Sequence, residues 1–217
     1  MVPIGASAVI VSMHGKETII GPILSEGLRM TTIRAEGVDT DRFGTFSGEV
    51  ARQGSQRSTA IKKAMAGFTR SKATWAIASE GTMRPHPQRP EQAIGDELVI
   101  LVNRSETHIF EGWDRAAETN FISHEVRSAD QAVAAARRLG FPSHGIVIRQ
   151  GVEPFAETVA KGIIDEHTLR RSVIAALASW PSALVQPDLR AHLNPTRQQA
   201  IARATRALVA AVLATMA

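Results

Sequence analysis

Apolar segments rich in β-branched residues alternate along this chain with patterns of helical period, and that alternation restricts the fold more than any other feature. Strand-like segments fall at residues 6–12, 30–35, 73–79, 97–102, 107–111, 145–149 and 183–186. Helical patterns fall between them, at 16–27, 56–68, 129–139, 166–179 and 195–216. Parallel strands need long crossovers, whereas the short link between 97–102 and 107–111 suits an antiparallel hairpin. The expectation is an α/β fold with a mixed, twisted sheet flanked by helices. With 217 residues the chain is long enough to bury its core as a single α/β domain over 1–217. Gly140 follows the third helical pattern as a C-cap, and Asn194-Pro195 opens the last with an N-cap and a proline at the first helical position.

Composition narrows the chemistry. No cysteine is present, which excludes disulfides, thiolate metal sites and cysteine nucleophiles and fits a cytoplasmic protein. No apolar run is long enough to span a bilayer. The net charge of +4 rests on arginine, which greatly outnumbers lysine and suits bidentate contact with phosphate or carboxylate. The arginines are dispersed, so a nucleic-acid surface is allowed but unforced.

Five polar stretches stand out. In "VIVSMHGKETII" a strand ends on Ser12 and delivers His14, Gly15 and Lys16 to a helix N-terminus, where the dipole favours an anion; a solvated turn explains the same residues. "DTDRFGTFSGE" offers Asp39, Asp41 and Glu49 as oxygen ligands for a hard cation, although Asx-turns would also use such aspartates. In "AIASEGTMRPHP" Glu80 stands just past an apolar strand, where an acid is placed to bind a metal or activate water, or to pair with an arginine. "GFPSHGIVIR" places His144 before a strand. "DLRAHLNPTR" gathers Arg190, His192 and Arg197 around a helix start, a pattern that suits phosphate. Residues 36–55 and 81–95 read as long polar loops. The signatures of zincins, serine hydrolases, kinases and P-loops are missing.

Taken in order, "MHGKE", "DTDRFGTFSGE", "ASEG", "HP", "ETNF", "GFPSHG" and "RAHLNPTR" resemble the signature of an uncharacterised bacterial family, a conserved domain of unknown function, over nearly the whole chain. More distantly, the strand, the lysine-bearing turn, the "GTF" loop, the "TAIKKA" helix and the strand ending in an acid are similar to the inosine/xanthosine triphosphate pyrophosphatases and their Maf-like relatives. That resemblance implies their fold, nucleotide-pool cleansing activity and Mg²⁺. It implies phosphate contacts from Ser12, His14 and Lys16, a metal-binding acid near Glu80, and a C-terminal His–Arg element on His192 and Arg197. Ser58 stands where those enzymes usually carry an acid, so the metal site would draw on Asp39, Asp41 or Glu49 instead.

The expectation that follows is a Mg²⁺-dependent hydrolase of nucleoside triphosphates or a related phosphorylated small molecule. Phosphate would be held by Ser12, His14, Lys16, Arg190, His192 and Arg197, the metal by Glu80 with Asp39, Asp41 or Glu49, and a proton moved by His14 or His144. A homodimer is the expected assembly. The alternative is a domain that binds a nucleotide or nucleic acid without turnover, and the serine at position 58 favours it.

Overall fold

In the computed structural model, which describes residues 3–44, 53–151 and 156–216, the alternation appears as expected: β1 (Ser7–Val11), α1 (Glu17–Leu28), β2 (Thr31–Arg34), α2 (Gln56–Gly67) and β3 (Trp75–His86) follow one another. Next come β4 (Arg89–Asn103), β5 (Ile109–Glu118), β6 (His124–Val126), α3 (Ala129–Arg138), β7 (Ile146–Gln150), β8 (Glu157–Ile163), α4 (Glu166–Leu177), β9 (Ala183–Pro187) and α5 (Pro195–Ala214). The architecture is α/β, with one mixed and one antiparallel sheet flanked by five helices among the described residues. No helix among those residues is long and apolar enough to cross a membrane.

The chain forms two compact units. The first comprises Met1–Arg84, Ile94–Glu118 and Arg197–Ala217; the second comprises Pro85–Ala93 and Thr119–Thr196.

In the first unit the strand order is β2-β1-β3-β4-β5. β1 pairs in parallel with β2 and with β3, and β4 pairs antiparallel with β5. The two crossovers, from β1 through α1 to β2 and from β2 through α2 to β3, run in opposite directions along the sheet. Strand alternation shows that their helices also cover opposite faces. Val9 and Val11 pack with Ala60 and Ala64 of α2, and a Cβ added at Gly67 would lie 2.5 Å from Val11. Ile10, pointing the other way, meets Gly21 of α1. Order 2-1-3 with helices on both faces creates a topological switch between β1 and β3, the place where open α/β sheets leave a crevice at the carboxyl ends of their strands.

α5 shares the α1 face. A Cβ on Gly27 of α1 would come within 2.6 Å of Val209, and one on Gly112 of β5 would meet the backbone of α5 at Ala204 O (2.0 Å) and Leu208 N (2.3 Å). Only glycine lets the helix lie this close. We expect Gly112→Ala to destabilise the protein by about 2–3 kcal/mol, since neither a helix nor a strand backbone can yield as a side chain does. Urea unfolding of the variant measures it, and an unchanged midpoint would contradict the packing.

The second unit contains a sheet of order β6-β9-β7-β8, antiparallel throughout. Its core joins Val133 and Ala136 of α3, Leu169 and Val173 of α4, and Ile146, Ile148 and Val185 of the sheet. Side chains cap both helices: Ser128 accepts from Gln131 N at 3.2 Å, and Asp165 accepts from Thr168 N at 2.8 Å.

The reading of residues 81–95 as a loop is corrected. β3 and β4 run on through this segment as a hairpin closed by Pro87 and Gln88, where His86 Nδ1 accepts from Gln88 N at 3.1 Å. Its prolines signal a loop in sequence, yet a strand can hold them wherever no ladder N–H is required.

Candidate functional site

The turn after β1 is built by Ser12. Its hydroxyl accepts from His14 N (3.3 Å) and Lys16 N (3.2 Å), and Gly15 takes a positive φ of 71°. The serine therefore occupies two of the turn's backbone donors, those of His14 and Lys16. The side chain of Lys16 is the charged donor of the turn. Although Lys16 sits in the N-cap position of α1, it makes no side-chain cap. It turns inward instead, is 9% exposed, and has one long hydrogen bond, from Nζ to Ser79 O at 3.4 Å.

Two buried ion pairs surround it. Lys63 Nζ lies 2.6 Å from Glu80 Oε2, and Arg197 Nε lies 2.6 Å from Glu97 Oε1, with all four side chains less than a tenth exposed. Strand alternation separates the pairs: Glu80 faces α2, which carries Lys63, whereas Glu97 faces α5, which carries Arg197. Ser79 has the orientation of Ile77 and Trp75. Trp75 packs its ring 5.9 Å from Phe110, two residues from Gly112 on β5, so Ser79 lies on the α5 face too.

The charges decide what this cluster suits. Lys16, Lys63 and Arg197 stand against Glu80 and Glu97, an excess of one positive charge when all are ionised, and the pair on the α5 face, Arg197 and Glu97, acts on Lys16 more strongly than the pair on the α2 face. Burial pulls the Lys16 ammonium from its ordinary 10.5 down to about 7; the Arg197 charge adds to the shift, with Lys63 a smaller contributor, and Glu97 and Glu80 oppose it. An anion arriving beside Lys16 would compensate a charge that the described residues of the cluster leave in excess. Among the described residues, Glu97 Oε2, Ser79 Oγ and Thr59 Oγ1 are buried polar atoms with no hydrogen-bond partner.

Glu80 is held in place from several directions. Besides Lys63, Gln56 Nε2 donates to its backbone oxygen at 2.6 Å and to Asp96 O at 2.8 Å, while Gln56 Oε1 accepts from Thr82 Oγ1 at 3.2 Å. Ser58 belongs to the start of α2, where Ser55 Oγ accepts from Ser58 N and Ser58 Oγ donates to Ser55 O at 3.0 Å. A serine of the first turn of α2, bonded to the capping Ser55, therefore occupies the position where an acid was expected. Asp39 is exposed, Glu49 lies outside the described residues, and so does the side chain of Asp41. Among the described residues no group of three or more acids and histidines is arranged to hold a metal ion.

The second unit has a different centre, Asp188. Its carboxylate accepts from Arg190 Nη2 (2.6 Å), Arg190 Nε (3.0 Å), Arg190 N (3.0 Å) and Gly162 N (3.0 Å). Burial alone would push this carboxyl up, but the hydrogen bonds and charge of Arg190 outweigh it and hold the group below its ordinary value. Arg190 thus already faces a carboxylate. Burial, with the Arg190 charge second, lowers His192 from its usual value. His144 Nε2 lies 3.0 Å from Thr196 Oγ1, and Asn194 donates to Asn120 Oδ1 and to Asp188 O, both at 3.0 Å.

The structure therefore groups Ser12, Lys16, Glu80 and Arg197 in the first unit and Arg190, His192 and His144 in the second. His14 is half-buried in the turn of the first unit. Sequence reasoning missed Lys63 and Glu97. A signal for Glu97 was present, an acid opening the apolar run "ELVILV" at a position with core periodicity. Lys63 follows Thr59 by one helical turn, on the face that carries Ala60 and Ala64 into the core.

The family model described as "Domain of unknown function (DUF6671)" matches residues 63–216. The chain belongs to this family. The stretch matched to DUF6671 contains both ion pairs, Lys63 with Glu80 and Glu97 with Arg197, and begins after the turn that supplies Lys16. A comparison with curated proteins gives no match.

Proposed function

We propose that the protein hydrolyses nucleoside triphosphates or a related phosphorylated small molecule, taking the phosphoryl end beside Lys16 in the first unit. The observation that carries this reading is the buried Lys16 ammonium, with its single long hydrogen bond and its place in the excess positive charge of the cluster. Lys16 and Arg197 would neutralise charge on phosphoryl oxygens in a site with little water, where such contacts act most strongly. The switch between β1 and β3 is the expected place for a ligand in a sheet of this order. We read the fold of the first unit as related to the inosine triphosphate pyrophosphatases.

Magnesium does not fit the described residues. Glu80, the acid expected to bind it, is already neutralised by Lys63, and a divalent ion there would have to displace a buried ammonium. Metal ligation would rest on the acids of residues 39–49. A second reading, binding without turnover, is favoured by the same pairing, because Glu80 so held is poorly placed to activate water.

Release of phosphate and pyrophosphate from a panel of canonical and deaminated nucleoside triphosphates, with Mg²⁺ or Mn²⁺, separates the two. Turnover by the wild-type protein that falls by about 100-fold or more in Lys16→Met supports the hydrolase. Binding of the nucleotides with no release supports the second reading, and equal release from both proteins would overturn the role given to Lys16.

A further inference from the structure

The α5 face of the cluster contains a group that a simple anion site would avoid. Glu97 is 4% exposed; its Oε1 accepts from Arg197, and its Oε2 is buried with no donor among the described residues. Ser79, 3% exposed and on the same face, has a hydroxyl with no partner among them either. Glu97 is second only to Arg197 among the charges acting on the Lys16 ammonium. One region thus combines a cation with spare donors, an unengaged hydroxyl and an unengaged carboxylate oxygen. An unpaired buried carboxylate oxygen is costly, and satisfied buried polar groups are the rule.

The mixture has a chemical consequence. An oxyanion with lone pairs only, such as sulfate, would be attracted by Lys16 and repelled by Glu97 Oε2. An oxyanion that retains one proton would direct its O–H to Glu97, converting that repulsion into a short charge-assisted hydrogen bond. Its remaining oxygens would accept from Lys16 and Ser79. Near neutral pH phosphate carries such a proton and sulfate does not.

We propose that Glu97 is the specificity-determining residue of this site, and that it selects a phosphoryl group bearing a proton over fully ionised oxyanions. The proposal rests on the reading of the Lys16 cluster as an anion site and specifies which anion it accepts. Lys63 and Glu80, on the opposite face, neutralise one another and take no part in the choice.

Equilibrium binding of inorganic phosphate, arsenate and sulfate at pH 7 tests it, with wild-type protein and Glu97→Gln, which keeps an acceptor for Arg197 and replaces the second oxygen by an N–H₂ donor. The wild-type protein should prefer phosphate over sulfate by at least about 100-fold, since a site that hydrogen-bonds a ligand's O–H rejects the analogue lacking it. Arsenate, protonated at the same pH, should behave as phosphate does. Glu97→Gln should gain sulfate binding and lose most of the preference.

Comparable wild-type affinities for sulfate and phosphate would overturn the proposal and leave the anion site standing. A preference unchanged in a Glu97→Gln variant that unfolds cooperatively would do the same. Should neither anion bind the wild-type protein, the anion site itself is wrong and the proposal fails with it. The wild-type comparison needs no variant, so poor folding of Glu97→Gln cannot shield the idea.

Discussion

At pH 7 the Lys16→Met variant should be more stable than the wild-type protein, by about 3–5 kcal/mol. The size follows from the shift of the Lys16 ammonium from 10.5 to about 7 at roughly 1.4 kcal/mol for each pH unit. Methionine fills a similar volume and needs no solvation. The pH dependence has a definite sign. Between about 7 and 10.5 the unfolded chain keeps the lysine proton that the folded chain has released, so wild-type stability rises with pH across that window. Below about 7 both states hold the proton and the slope from this group vanishes. The advantage of Lys16→Met should therefore be largest at and below pH 7 and shrink towards pH 10.5. Urea unfolding of both proteins at pH 6, 7, 8 and 9 measures it, and parallel curves would show that Lys16 is not buried as described. A residue that lowers stability this much is the kind retained for function.

The opposite result is expected at Arg197. Arg197→Met removes the donor that Glu97 Oε1 has among the described residues, where Oε2 has none, leaving both oxygens of a buried carboxylate without a hydrogen bond. Breaking one side of a buried pair typically costs about 3–5 kcal/mol, whereas replacing both sides by apolar groups is often nearly neutral. Arg197→Met should thus be among the most damaging single changes in the first unit, and Glu97→Leu combined with it should restore most of the loss. A double-mutant cycle by urea unfolding yields the coupling directly. Additive effects of the two substitutions would mean that the pair does not interact as the 2.6 Å contact implies. Because Arg197 also depresses the Lys16 ammonium, the single variant should move that group back towards its ordinary value.

The helices were the most legible part of the fold, because each carries its own local signals. Serine and aspartate caps at Ser55, Ser128 and Asp165, with a proline opening α5, depend on neighbours three residues away. Strand ends depend on distant partners and were read less well. β6 is three residues long, and β8, with Thr158 and Lys161 at its exposed positions, lacks the apolar alternation that marks a half-buried strand. β3 and β4 extend well past their apolar cores into a proline-bearing segment, where composition argues for a loop and pairing with a neighbour prevails.

The candidate site was legible in one element and hidden in the others. Lys16 follows an apolar strand at the start of a helix, and that order alone marks the carboxyl end of a sheet strand. Arg197 was grouped in sequence with Arg190 and His192, its neighbours along the chain. In the fold its guanidinium reaches Glu97, 100 residues earlier, while Arg190 is committed to Asp188 two residues away. Sequence proximity fixed the partner of Arg190 and concealed that of Arg197. The pairing of Lys63 with Glu80 was equally hidden: Glu80 stands out after its apolar strand, but Lys63 viewed alone has the form of an ordinary surface charge.

The central claim, that the buried cluster around Lys16 binds a phosphoryl anion, is tested most directly by calorimetric titration of pyrophosphate into the wild-type protein and Lys16→Met at pH 7. Saturable binding to the wild-type protein is expected, with an affinity lower by at least about 100-fold in the variant, the usual cost of removing one charged partner from a buried contact. The variant should meanwhile unfold at a higher urea concentration, so the loss cannot be laid to misfolding. Equal affinity of the two proteins for pyrophosphate would contradict the account.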